Sequence, residues 1–391
     1  MVLIDLYLYF VLNEFVISLI GFGLTLCLIP VIVTLAWKYN LVYLPNNRTS
    51  HIKPVPAIGG IAVFLGFFVS GILLAGPHAN SYHYLIGGVI AIFIIGVLDD
   101  LIALSAKRKL LFIVLIAFTL TSIGDIRLVS LHHFLGIDVL PYWVSISLSV
   151  LLITYVINAV NLIDGIDGNA GITGIFVLAV FSTFFMKSGY TQIIGFTFPI
   201  IFAYAAFLVF NLFGRRYKIF MGDTGSLILG FVIAITIIKF CNINSDAVYH
   251  SRLYSPLTVL ALMIVPLFDQ LHVFIKRIMM GKSPFEADRN HLHHTWLKMG
   301  FSHSVTSLIM LGYGVFFLLV NTFLLIYLPI PLHIITLIGL ALAFWHLPER
   351  YLKQHSRKFV SRRFNYRKKQ MREPASKPKD SYLRPLHNIS R

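Results

Sequence analysis

The stretch Asn158-Ala-Val-Asn161-Leu-Ile-Asp164-Gly-Ile-Asp167-Gly168 sets two carboxamides, two carboxylates and two glycines directly after an apolar run from Tyr142 to Ile157. Carboxylates without nearby cations attract a divalent metal, and glycines let a phosphate or another backbone come close. Asp164 and Asp167 stand three apart and share a helix face if the turn stays helical. Asn158 and Asn161 repeat that spacing and offer neutral oxygens that complete a magnesium shell without adding charge. The chemistry predicted is metal-dependent phosphoryl transfer at the end of a transmembrane helix.

Other clusters fit the same chemistry. Asp99-Asp100 closes the apolar run from Gly87 to Leu98. Adjacent side chains on a helix point about 100° apart, so one acid is expected to meet the metal or the attacking group while the other holds a cation such as Lys107 or Lys109. Gly222-Asp223-Thr-Gly-Ser226 opens a helix whose free N–H groups suit an anion, with the Asp223 carboxylate set to hold metal against the same phosphates. His291, His293 and His294 lack a suitably spaced fourth ligand for zinc. Beside Lys282 and Arg289 they are expected to donate hydrogen bonds to phosphate oxygens, and His51, between Arg48 and Lys53, either does likewise or is an ordinary surface residue. Asp269 falls inside an apolar stretch, where a charge needs a partner in the bundle that the sequence does not name.

The elements that position these residues are membrane spans. The chain of 391 residues is 57% apolar, 14% aromatic and only 12% charged, which excludes a soluble globular protein. Cys27 and Cys241 lie in or beside apolar runs and read as packing residues. A span needs roughly 20 helical residues, and eleven stretches qualify, at about 9–36, 56–76, 84–104, 110–125, 140–161, 169–187, 192–213, 225–241, 255–277, 304–327 and 330–347. The fourth is short and the last two are joined near Leu328-Pro-Ile-Pro331, so the count is ten or eleven. Continuous rather than alternating apolar residues make the fold all-α, a polytopic membrane bundle. The first run lacks the basic leader of a signal peptide and reads as a retained helix. Two regions are expected: a transmembrane catalytic domain over 1–348 and a basic cytoplasmic tail over 349–391.

Orientation follows from the cations. With the N-terminus outside, all but Arg127, Lys187, Lys239 and Arg252 of the 32 lysines and arginines fall on the cytoplasmic side. The acids were not used for that assignment, yet every cluster except the deep Asp269 lands on the same face, so they read as one cytoplasmic-face active site. The tail, with Arg357-Lys358, Arg362-Arg363 and Arg367-Lys368-Lys369, reads as a contact for anionic lipid, disordered beyond about Arg372. No folded nucleic-acid recognition module accompanies it.

Four motifs in order carry a family resemblance: Asp99-Asp100, Asn158 to Gly168, Gly214 to Ser226, and Ser283-Pro-Phe-Glu-Ala-Asp-Arg-Asn-His-Leu-His-His294. Over about residues 40–305 the chain resembles the polyprenyl-phosphate N-acetylhexosamine-1-phosphate transferases, glycosyltransferase family 4. Within them it most resembles the bacterial members that load N-acetylglucosamine 1-phosphate onto undecaprenyl phosphate to start O-antigen and enterobacterial common antigen. Asn169 stands where the family usually has leucine, and the tail is similar only in being basic.

The resemblance implies transfer from a UDP-N-acetylhexosamine to undecaprenyl phosphate in the bacterial inner membrane, releasing UMP, with Mg²⁺ or Mn²⁺ as cofactor. It implies that Asp223 and Asn161 hold the metal, and that Asp99 engages the lipid phosphate with Asp100 beside it. Asp164 and Asp167 would line the nucleotide and metal region. Arg277, His291, His293 and His294 match basic positions that contact the sugar nucleotide, and Asn158, Lys109 and His51 complete the expected substrate contacts. A homodimer is allowed, the oligomeric state not being fixed by sequence. Two rivals are weaker. A divalent-cation transporter would carry its acids near the bilayer midplane, where only Asp269 lies deep, and a phosphatidyltransferase would need an Ala-Arg after the first Asp-Gly, where Asn169-Ala-Gly stands beyond the second.

Overall fold

The computed structural model describes residues 2–42, 54–75, 79–134, 136–243, 256–283 and 290–355. His51, with its neighbours Arg48 and Lys53, lies outside these residues, as do Asp288, Arg289 and the tail from 356 onward.

Twelve helices are described: α1 (Val2–Lys38), α2 (Gly59–Ala75), α3 (Ala79–Ile102), α4 (Ala106–Ser122), α5 (Tyr142–Ile163), α6 (Asn169–Lys187), α7 (Thr191–Phe213), α8 (Gly222–Cys241), α9 (Pro256–Met279), α10 (Leu292–Lys298), α11 (His303–Tyr327) and α12 (Ile330–Gln354). Nine of them are long and apolar enough to cross a membrane, and α2 and α4, at 17 residues each, lie where the other two spans were expected. The protein is therefore an all-α polytopic membrane protein. One feature was not expected, a short antiparallel hairpin of β1 (Ser130–Phe134) and β2 (Ile137–Val139) between α4 and α5. It is joined to the far end of α8 by Asn242, whose Oδ1 accepts from Val129 N at 3.0 Å.

Burial explains the layout. In α8, 94% of the apolar stretch is enclosed, so this helix is the axis of the bundle, with α2, α3, α5, α6 and α7 packed around it. Its core partners are large and apolar, among them Ile157, Phe181, Phe207 and Ile92. Helices α9, α11 and α12 form an outer layer around Phe317, Leu337 and Ala341. Beneath α10 a third cluster gathers Val273, Leu292, Met310 and Trp345. Helix α12 runs to Gln354, past the expected domain edge at 348, and its Glu349 pairs with Lys276 of α9 at 3.0 Å.

Chain direction then brings one set of termini together. The ends of α3, α5, α7 and α9 and the starts of α4, α6, α8 and α11 share one end of the bundle, opposite the hairpin. That end holds the chemistry.

Candidate active site

The start of α8 is fixed first. Backbone bonds from Gly59 N to Phe220 O (2.9 Å), Gly60 N to Met221 O (2.8 Å) and Phe220 N to Pro56 O (2.8 Å) lace the entry of α2 to the entry of α8. Gly222 takes φ +73°, where a side chain is strained, and a Cβ there would strike Ala57 O and stand 2.8 Å from Asp100 Oδ2. Tyr204 of α7 donates its hydroxyl to Gly225 O at 2.6 Å. Two of the N–H groups of this terminus, which the sequence suggested would suit a phosphate, are taken by a side chain. Asp100 Oδ1 accepts from Asp223 N at 2.6 Å, and Oδ2 accepts from Thr224 N at 3.0 Å and Thr224 Oγ1 at 2.6 Å. A carboxylate from a neighbouring helix is the anion that this helix end favours.

Asp99 turns the other way, as the 100° offset requires. Its Oδ1 accepts from Leu104 N at 2.8 Å, and its Oδ2 pairs with Lys109 Nζ at 2.9 Å. The same ammonium is bonded to Asp223 Oδ1 and donates to Asn161 Oδ1 at 3.2 Å. Asn161 Nδ2 donates to Asp223 Oδ1 at 2.6 Å and to Ser226 Oγ at 2.7 Å. Thus α3, α4, α5 and α8 each contribute one polar side chain to a single cluster: Asp99, Lys109, Asn161 and Asp223. Asp223 is the most open of them, with its side chain 36% exposed against 8% for Asp99 and 11% for Lys109.

The loop from Asp164 to Gly168 lies beside this cluster. Burial, then the nearby carboxylates of Asp223, Asp100 and Asp167, push the Asp164 carboxyl well above its ordinary range. Asp167 stands apart, paired with Lys218 at 2.8 Å and facing His303 Nδ1 at 3.4 Å. The loop is pinned from outside: Gly168 N donates to Asn211 Oδ1 at 2.7 Å and Ser307 Oγ donates to Asp167 O at 2.7 Å. Asn169, the departure from the family pattern, is buried and donates to Ile163 O at 2.8 Å, tying the start of α6 to the end of α5.

The histidines approach the same loop. A Cβ on Gly165 would lie 2.6 Å from His293 Nε2, so glycine is what admits this imidazole. His293 is enclosed, and its pKa is held well below the usual value by burial, then by His294, His291 and His303, so it faces the loop as a neutral ring. His291 and His293 lie nearly parallel with centroids 5.8 Å apart, and His294 N donates to His291 O at 3.0 Å. Arg277 is buried in the last turn of α9. Asn158 donates its amide to Thr154 O of its own helix at 2.8 Å and joins none of these groups through that nitrogen.

Sequence reasoning missed Lys218, Asn211, Ser226, His303 and Ser307 as loop and cluster supports. Lys218 and Ser226 sit within the Gly214–Ser226 motif already singled out and Asn211 stands three residues before it, so polar character at a helix end was the available signal. His303 and Ser307 offered none, lying about 140 residues from the loop they hold.

Oxygen donors here suit a hard divalent ion. Among the described residues no three His, Cys, Asp or Glu side chains converge on one point. Magnesium does not need them, since one or two carboxylates with water and substrate phosphate complete its shell. That a lysine ammonium already lies between Asp99, Asp223 and Asn161 is consistent with a cluster that draws cations.

Buried acids, a carboxamide and a lysine gathered at one end of an apolar helical bundle define a polytopic membrane enzyme. The family model described as glycosyl transferase family 4 matches residues 82–241. The chain is 32% identical over 312 residues to a probable undecaprenyl-phosphate N-acetylglucosaminyl 1-phosphate transferase of Bacillus subtilis, covering 78% of this chain and 82% of that protein. It is 31% identical over 274 residues to the undecaprenyl-phosphate alpha-N-acetylglucosaminyl 1-phosphate transferase of Escherichia coli K12, and 30% over 278 residues to that of Salmonella typhi, each covering 68% of this chain and 72% of the relative. The chain belongs to glycosyl transferase family 4, and within it to the phosphotransferases of sugar 1-phosphates.

Proposed function

We propose that the protein transfers N-acetylglucosamine 1-phosphate from UDP-N-acetylglucosamine to undecaprenyl phosphate, giving undecaprenyl-diphospho-N-acetylglucosamine and UMP. This is the first membrane step of lipopolysaccharide assembly of the O-antigen or enterobacterial common antigen type. The reading is carried by one observation: Asp99, Lys109, Asn161 and Asp223 meet at one end of the bundle, and the named relatives act on undecaprenyl phosphate. The site face, with Lys107, Arg108, Lys218 and Lys276, is the cytoplasmic face of the bacterial inner membrane by the excess of cations there, and the N-terminus is periplasmic.

In the reaction an oxygen of the lipid phosphate forms a bond to the phosphorus that bears the sugar, and the bond from that phosphorus to the bridging oxygen breaks, with the electron pair leaving on UMP. Phosphate monoesters are mostly ionised near neutral pH, their second pKa being about 6, so little proton removal is needed. The barrier is repulsion between anions. Lys109, held from both sides by Asp99 and Asp223, is placed to meet an incoming phosphate oxygen. Asp223 and Asn161 would hold Mg²⁺ or Mn²⁺, which when bound supplies positive charge across the diphosphate. Asp100 positions Asp223 through the backbone of α8. Neutral His293, against Gly165, would offer a ring N–H to the sugar nucleotide, and Arg277 and His294 would add further donors.

The test uses purified protein, undecaprenyl phosphate and a panel of radiolabelled UDP-sugars, following label into the lipid phase and UMP release. Transfer from UDP-N-acetylglucosamine with equimolar UMP is expected. Transfer from a different UDP-N-acetylhexosamine alone would replace the donor, and no transfer by folded protein would overturn the reaction.

A further inference from the structure

Asp269 is buried in α9, three residues after Pro266, in a chain whose catalytic cluster lies on other helices. A carboxylate there is costly unless each oxygen is satisfied. Both are. Oδ1 accepts from Leu292 N at 2.8 Å and from Trp345 Nε1 at 2.9 Å, and Oδ2 meets His291 Nδ1 at 2.8 Å. Backbone N–H and indole N–H are donors only, so Oδ1 carries no proton. The remaining proton lies between Oδ2 and Nδ1, and imidazole is the stronger base. His291 is therefore held with Nδ1 protonated, which leaves Nε2 to meet a ligand.

The same carboxylate caps α10 from outside, since His291 at the N-cap makes no side-chain cap bond of its own. It also ties that short helix to α12 through Trp345. His291 in turn stacks beside His293, which touches Gly165 of the Asp164–Gly168 loop. A small cavity lined by Ile163, Asn169, Asp269 and His293 separates the carboxylate from that loop, so Asp269 reaches the site through the histidines.

We propose that Asp269 is a positioning residue for the transfer reaction, acting through His291 by fixing its tautomer and its place at the start of α10. The role rests on the reaction proposed above, but its first test does not. With ring-¹⁵N histidine in the full-length protein in detergent, and His291→Gln to assign the signal, His291 is expected as the Nδ1–H tautomer or doubly protonated. An Nε2–H tautomer in the unaltered protein overturns the proposal whether or not any donor is turned over, and absence of turnover alone overturns only the reaction.

Asp269→Asn keeps the acceptor for Leu292 and Trp345 but presents an amide N–H to Nδ1, which must then accept and shift the ring proton to Nε2. That variant is expected to lose on the order of 10- to 100-fold in kcat/KM, and the pair Asp269→Asn with His291→Gln is expected to lose no more than His291→Gln alone. Full activity in Asp269→Asn, or losses that multiply in the pair, would assign Asp269 to stability only.

Discussion

Asp100 accepts both the backbone N–H and the hydroxyl of Thr224, at 3.0 and 2.6 Å, while its neighbour Asp99 faces Lys109. Two adjacent acids thus serve two helices: one orders the entry of α8, and the other sets the charge of the site.

Asp100→Asn should therefore act through α8. Losing the negative charge at this helix end is expected to cost about 1–2 kcal/mol, read as a lower melting temperature in detergent. Turnover should fall with it, because an amide keeps only one acceptor oxygen and either Asp223 N or Thr224 N loses its partner. Unchanged melting and unchanged turnover together would show that the cap carries neither stability nor geometry.

Lys109→Met removes the cation that Asp99 and Asp223 share. Two carboxylates left facing one another repel an anionic substrate, and a drop of about 100-fold in kcat/KM, or roughly 3 kcal/mol at the transition state, is expected. The comparison is steady-state transfer at saturating Mg²⁺, and a variant within about twofold of the parent would remove Lys109 from the site.

These divisions mark the limit of what the sequence revealed. The bundle and its acid clusters were legible because apolar runs of span length end at Asp99 and Asp164 and another begins just after Asp223, and helix direction alone carries such termini to one face. Which of Asp99 and Asp100 faces the site was given by the family resemblance and not by spacing, since a 100° offset says they differ but not which helix lies on which side. That Asp100 bonds the α8 terminus was not legible, because it lies far from Thr224 in the chain. Asp269 needed partners from Leu292 and Trp345, and no local pattern links them. The hairpin at Ser130–Phe134 escaped because its strands are only five and three residues long.

His293 gives a pH signature. Its folded-state pKa lies well below the ordinary 6.5, so the ring stays neutral in the fold while the unfolded chain takes up a proton below that value. The unfolded state then binds more protons, and stability present above about pH 6.5 is lost as the pH falls toward the folded pKa. In His293→Gln that loss should shrink. Melting temperatures compared at about pH 7.5 and about pH 5.5 give the measure, and an equal drop in parent and variant would count against an enclosed neutral imidazole.

The central claim is that Asp223, Asn161, Asp99 and Lys109 form the transfer site. Its most direct test is metal-dependent label transfer from UDP-N-acetylglucosamine to undecaprenyl phosphate by the parent and by Asp223→Asn, titrated with Mg²⁺ and with chelator, in protein shown to be folded by its melting curve. The parent should transfer only with metal, and Asp223→Asn should lose at least about 100-fold while melting near the parent temperature. Full transfer by the folded variant, or transfer by the parent under chelator, would contradict the site.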